Sequence, residues 1–169
     1  MAAGRTYTPI ATTTLTSAAA SVTFSSISSS YTDLRLVIVP TATSGSTTYI
    51  SLQFNGDTAT NYSETYMTGT GTSATSARDT SVNATYLYNT GAPTTAGNLV
   101  VTTDIMNYSN STTYKTLLSR SNNAGAYTNA YVGLWRSTSA ITSILISPVG
   151  GSGTYAPGST FTLYGIAAA

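Results

Sequence analysis

The chain has no cysteine and no histidine. Without cysteine it forms no disulfide, offers no thiolate nucleophile, and leaves its redox compartment unmarked. Without histidine it lacks the commonest general base at neutral pH and the commonest metal ligand. Charge is also scarce: 7% of residues, against about 25% in an average soluble domain. Lys115 is the single lysine, and the formal net charge is +1. Such a balance gives neither the basic stripe that nucleic acid requires nor strong attraction to anionic membrane. No run approaches the roughly 18 apolar residues of a membrane span. Residues 1–15, MAAGRTYTPIATTTL, hold no apolar stretch of signal-peptide length, so synthesis and assembly are expected in a cytoplasm.

What remains is serine, threonine and a strong apolar pattern. Hydrophobic residues make up 41% of the chain and aromatics 10%, and they alternate with polar ones. Disordered or mucin-like chains lack that patterning. A length of 169 residues suits one domain with a real core. Residues 1–19 read as an extended arm, since Pro9 and small residues argue against a helix and nothing there alternates. Residues 20–169 read as one domain. Asp33 to Val39, DLRLVIV, sets Leu34, Leu36 and Ile38 on one face and Arg35, Val37 and Val39 on the other. Apolar residues on both faces suggest a strand inside a sandwich, or one with a partner on its outer side.

Further strands are expected at Ser21–Phe24, Thr48–Phe54, Tyr62–Met67, Ala84–Tyr88, Asn98–Met106, Tyr114–Ser121, Asn129–Arg136, Ile141–Ser147 and Thr160–Ile166. Asn55-Gly56 is a strong hairpin signal, because both central residues of a type I′ turn need positive φ. Thr68–Thr80 reads as a mobile polar loop. Asn122-Asn123-Ala124-Gly125 joins two strands into a hairpin, and Ile141–Ser147 is expected to pair with Thr160–Ile166. The final strand reads as core, and therefore central. About ten short strands with no significant helix predict an all-β fold, an antiparallel β-sandwich of jelly-roll-like type.

No constellation points to catalysis. The carboxylates are Asp33, Asp57, Glu64, Asp79 and Asp104. Asp57 and Glu64 could approach one another across the Asn55-Gly56 turn, as a glycosidase pair would require, but acids near a polar turn are common. The oxygen-rich stretch Asn55–Thr65 suits Ca²⁺ in composition, without the ligand order of a calcium loop; a turn whose side chains bond their own backbone explains it better. Neither Gly69-Thr70-Gly71 nor Gly150–Gly153 has the following helix or lysine of a phosphate loop. No catalytic, cofactor or metal site is therefore expected. The thirteen tyrosines suit either half-buried strand positions or an interface. With so few charges to guard its sheet edges, a β module is expected to have them covered, for which copies of itself would serve.

Five segments together, YTPIATTTLTSAAASVTFSSISSSYTDLRLVI (Tyr7–Ile38), ISLQFNGDTATNYSETYMTG (Ile50–Gly69), LLSRS (Leu117–Ser121), GLWRSTSAITSILISP (Gly133–Pro148) and GSTFTLYGI (Gly158–Ile166), resemble a family of small β-sandwich virion proteins of tailed bacteriophages, including phages of cyanobacteria. GSTFTLYGI and the FNGD…NYS pair are the most specific parts. The resemblance implies a non-enzymatic virion component. The expected role is a capsid decoration (cement) protein on the shell exterior, a homo-oligomer, with a trimer favoured, bound to the major capsid protein. Arg5, Tyr7 and Ile10 of the arm are the expected contact residues. The alternative is a tail-fibre or receptor-binding module that reads a cell-surface glycan.

Overall fold

Alternation translates directly into buried and exposed faces. In the computed structural model, which describes residues 6–41, 49–88, 99–149 and 153–167, Leu34, Leu36 and Ile38 are fully buried while their neighbours are half-exposed. Twelve strands are formed among the described residues, and no helix. In chain order they are β1 (Tyr7–Thr14), β2 (Val22–Phe24), β3 (Asp33–Val39), β4 (Tyr49–Phe54), β5 (Tyr62–Gly69) and β6 (Ala74–Val82). They continue as β7 (Thr85–Tyr88), β8 (Val100–Met106), β9 (Lys115–Asn123), β10 (Tyr127–Trp135), β11 (Ile144–Val149) and β12 (Thr160–Ile166).

The strands build two antiparallel sheets, the sandwich expected from the sequence. The sheets are unequal. The large one runs β1-β12-β3-β8-β9-β10-β5-β6, and the small one β2-β11-β4-β7. Between them lie Phe24, Phe54, Leu52, Ile144 and Ile146 from the small sheet, against Leu36, Ile38, Ile105, Phe161 and Leu163 from the large one. At one end Phe54, Tyr62 and Trp135 pack ring on ring, with centroids 5.4 to 6.3 Å apart. β12 is an interior strand, between β1 and β3, as its apolar pattern predicts.

Two strands escape the sequence pattern, and both are sheet edges. β6 occupies what reads as the polar loop Thr68–Thr80. β5 continues to Gly69, the chain turns at residues 70–73 through a Thr70 N–H bond to the Ser73 carbonyl, and β6 returns along β5. Nearly every residue of β6 is exposed, so no apolar period marks it; the backbone ladder alone holds it. β1 occupies part of the expected arm and pairs with β12. Its period is broken by a bulge between Pro9 and Ala11, which turns both Ile10 and Ala11 toward the core. Pro9 is tolerated because an edge strand has a side that needs no N–H.

Two expected pairings are corrected. Ile141–Ser147 and Thr160–Ile166 are not neighbours: β11 lies between β2 and β4, whereas β12 lies in the other sheet. Their buried residues face one another across the core, which satisfies the same apolar pattern as lying side by side. Asn55 and Gly56 do take positive φ, 53° and 68°, and the Asp57 N–H closes the turn on the Phe54 carbonyl at 2.9 Å. Yet β4 and β5 belong to different sheets. The turn starts a crossover between layers, and the Tyr62 hydroxyl pins it by accepting from the Phe54 N–H at 2.9 Å. The expected hairpin between β9 and β10 forms, in register from Tyr127↔Asn123 to Trp135↔Lys115.

Gly165 of β12 sits under the Tyr31 ring, where any Cβ would overlap ring carbons. Gly165→Ala is therefore expected to destabilise the fold by about 1–3 kcal/mol. Gly69→Ala, whose methyl would stand 3.6 Å from Thr128, is expected to change little. Urea unfolding measures both; equal midpoints for the two variants would show that the Tyr31 ring yields without cost.

Candidate functional site: the open face of the large sheet

The small sheet lies against one face of the large sheet. On the other face, the outward residues of β9, β10 and β5 fall in register: Leu118 opposite Val132, Val132 opposite Thr65, Arg120 opposite Ala130, and Ala130 opposite Met67. Three of them are large, apolar and exposed: Met67 at 62%, Val132 at 53% and Leu118 at 51%. Ala130, small between Arg120 and Met67, leaves a groove of about 330 Å³ walled by Met67, Leu118, Arg120 and Val132. No aromatic residue stands among the outward positions of these three strands.

Toward the β1 side the face becomes charged. Arg35 of β3 reaches across to Asp104 of β8 in a two-pronged ion pair, Nε to Oδ1 at 2.5 Å and Nη2 to Oδ2 at 2.8 Å. That pairing raises the Arg35 pKa against the opposing effect of burial. The same guanidinium lies over the Tyr7 ring, 5.3 Å from its centroid. Tyr7, one of the expected contact residues, is therefore on the open face and 46% exposed. Ile10 is half-buried against the core. Arg5 lies outside the described residues.

The buried face of the same strands carries a polar stripe that the sequence reading missed. Thr103 and Ser119 share a hydroxyl hydrogen bond at 2.9 Å, Asn129 donates to Ser121 at 3.1 Å, and Thr68 donates to Asn129 at 2.5 Å. The signal was the recurrence of Ser119, Ser121, Asn123 and Asn129 at inward positions of β9 and β10. Beside the stripe, Glu64 of β5 is buried against β7. Its Oε2 accepts from the Tyr86 N–H at 2.6 Å and from the Thr85 hydroxyl at 3.0 Å, while Oε1 has no hydrogen-bond partner among the described residues. Gly133, opposite Glu64 on β10, makes room for this contact; a Cβ there would come within 2.7 Å of the Thr85 hydroxyl. Lys115 is buried as well, with Nζ donating to the carbonyls of Thr113 and Thr138 at 2.7 and 3.2 Å. Burial pushes its pKa down.

Asp57 and Glu64 do not act on shared partners. Asp57 is held by the Ala59 N–H at 2.9 Å, the Asn61 amide at 2.9 Å and the Trp135 indole N–H at 2.7 Å. Burial works against its charge, but those donors hold the carboxyl below its usual range. In the oxygen-rich stretch around it, Asn55 Oδ1 accepts from the N–H groups of Thr142 and Ser143. The polar turn thus spends its oxygens on protein donors. Of the tyrosines, Tyr62 and Tyr131 are buried strand residues, Tyr108 and Tyr155 are buried outside the named strands, and Tyr7 and Tyr114 are exposed.

No protein-family model matches the chain, and no curated protein is similar to it in sequence.

Burial raises the Glu64 carboxyl from an ordinary 4.5 to about 7; the Tyr86 and Thr85 donors oppose the shift and the Asp79 charge adds to it. Below pH 4.5 the group is protonated in folded and unfolded chains alike. As pH rises toward 7 only the unfolded chain releases the proton, so stability falls, by about 3 kcal/mol in all. Glu64→Gln is expected to remove that slope. Urea titrations at pH 4.5 and pH 7 on both proteins decide the matter; parallel losses in the two would clear Glu64 of the effect.

Proposed function

We propose that this chain is a non-enzymatic structural protein of a virion, which docks by the open face of its large sheet on a protein shell. The carrying observation is the exposed aliphatic strip of Met67, Leu118 and Val132 on a regular, uncovered sheet face. Contiguous apolar patches of a few hundred Å² on a protein surface are often functional. A sheet of eight strands spaced about 4.8 Å apart is roughly 38 Å wide, and strands of about seven residues make it roughly 24 Å tall. The half formed by β9, β10, β5 and β6 covers about 460 Å², against about 800 Å² per partner in a standard protein interface, so one such face alone makes a weak contact.

The segments that resemble small β-sandwich virion proteins of tailed phages support the shell as the partner and a decoration (cement) role on the capsid exterior. A decoration protein works by linkage: it binds assembled shell in preference to free subunits and so stabilises the shell. A trimer multiplies weak footprints by holding three against one lattice site. The glycan-reading alternative draws less support, because sugars stack on aromatic faces and the centre of this face is aliphatic.

Quantitative mass spectrometry of purified particles tests the proposal. About one copy per one to three shell subunits is expected, since a symmetric shell repeats its sites many times. A few copies per particle would assign the chain to a tail or vertex, and its absence from particles would end the virion reading.

A further inference from the structure

The charges on the open face are unevenly matched. Arg35 and Asp104 neutralise one another in their two-pronged pair. At the strand ends, Asp33 accepts from the Asn107 N–H, and Arg136 is held by the Ser63 hydroxyl and the Thr60 carbonyl. Asp79 points to the other side of the sheet, opposite Glu64. Arg78 and Arg120 remain. Both are exposed, both project on the open face, and neither has a hydrogen bond or ion pair among the described residues. Arg120 walls the aliphatic groove directly. Arg78 stands opposite Thr65, which itself stands opposite Val132. Counting three strand spacings and two residues along the strand places their Cα atoms roughly 16 Å apart, one on each flank of the strip.

We infer that this strip, with Arg78 and Arg120 at its flanks, is the docking surface for a carboxylate-bearing patch on a different protein. The inference rests on the docking reading above and specifies the partner's chemistry. The guanidinium fork matches a carboxylate in two parallel hydrogen bonds, the geometry already realised on this face between Arg35 and Asp104. An apolar knob on the partner fills the groove over Ala130, and carboxylates beside the knob meet the two arginines. A second copy is the wrong occupant: each face carries two uncompensated cations beside the strip, on β9 and on the edge strand β6, and the carboxylate left without a cation, Asp33, stands at the end of β3 away from them, so stacking strip on strip sets cations together. Nucleic acid is also a poor fit, since it asks for a dense basic stripe and would lay phosphates over an aliphatic floor.

The test is a binding titration of the full chain onto purified shell particles that lack it, read by co-sedimentation. Arg78→Glu with Arg120→Glu is the main variant. Both side chains are exposed, so the fold should persist, and circular dichroism with a thermal melt verifies that. The wild type is expected to saturate the particles, the double variant to bind at least about tenfold more weakly, and added salt to weaken the wild type toward the variant. Particles whose surface carboxylates have been amidated with carbodiimide and ethanolamine should lose the wild-type chain. If the double variant binds as well as wild type while Leu118→Asp does not, the face docks without carboxylates; that overturns this inference and leaves the docking reading standing. If the wild type fails to bind untreated particles, the docking reading itself falls. Retention on immobilised heparin that the double variant loses would give the arginines to a polyanion, and a concentration-dependent dimer abolished by Leu118→Asp would give the strip to a second copy; either result overturns the inference.

Discussion

A sheet has two faces, and here four strands are asked to cover eight. That mismatch governs the rest of the molecule. Where the small sheet meets β12, β3 and β8, the interior is filled by Leu34, Leu36, Ile38, Val101, Ile105, Phe161 and Leu163. Toward β9, β10 and β5 the buried positions turn to serine, threonine and asparagine, which must find partners because an unpaired buried polar group costs more than a hydrogen bond contributes. They find them in one another. Threonine, serine and asparagine side chains in register bind neighbouring strands as specifically as apolar packing does, and they tolerate no slip. Glu64, with one oxygen satisfied and one not, is the point where that solution is incomplete.

The opposite face has no small sheet to cover it. Its aliphatic strip, and the two arginines without partners among the described residues, are what the proposed docking contact would cover. The ion pair between Arg35 and Asp104 with Tyr7 laid beneath it is a finished piece of the same surface: charges matched, aromatic edge packed. The contrast between the finished and the unfinished halves supports the proposed docking region better than exposure alone.

Most of the architecture was legible in the sequence because it is written in alternation. Leu34 to Ile38 and Phe161 to Leu163 announce a half-buried strand whatever their partners are. Partner choice is another matter. β11 and β12 have the same apolar period whether they lie side by side or face to face, so the sequence cannot tell a hairpin from a sandwich contact. Asn55 and Gly56 fix a local backbone conformation, and that conformation was right, but a turn does not dictate which strands leave it. β6 has no period at all. Its place comes from backbone hydrogen bonds to β5, which every sequence can make. The exposed aliphatic strip left a trace in strands that are apolar on both sides: Leu117 and Leu118, or Tyr131 and Val132, place hydrophobic residues on both faces. Arg78 and Arg120 left none, since an arginine without a partner looks in sequence like an arginine with one.

The two edges of the large sheet are guarded by different devices. β1 is blunted by Pro9 and its bulge. β6 has a bulge of its own at Ser81, where φ is positive, and carries Arg78 and Asp79 along its length. A strand arriving beside β6 meets a regular row of backbone groups only from Ala74 to Thr80, and must set its side chains beside those two charges. Lateral growth of this sheet is therefore discouraged in both directions, and a chain this poor in charge escapes the open-ended fibre that an unguarded edge would invite.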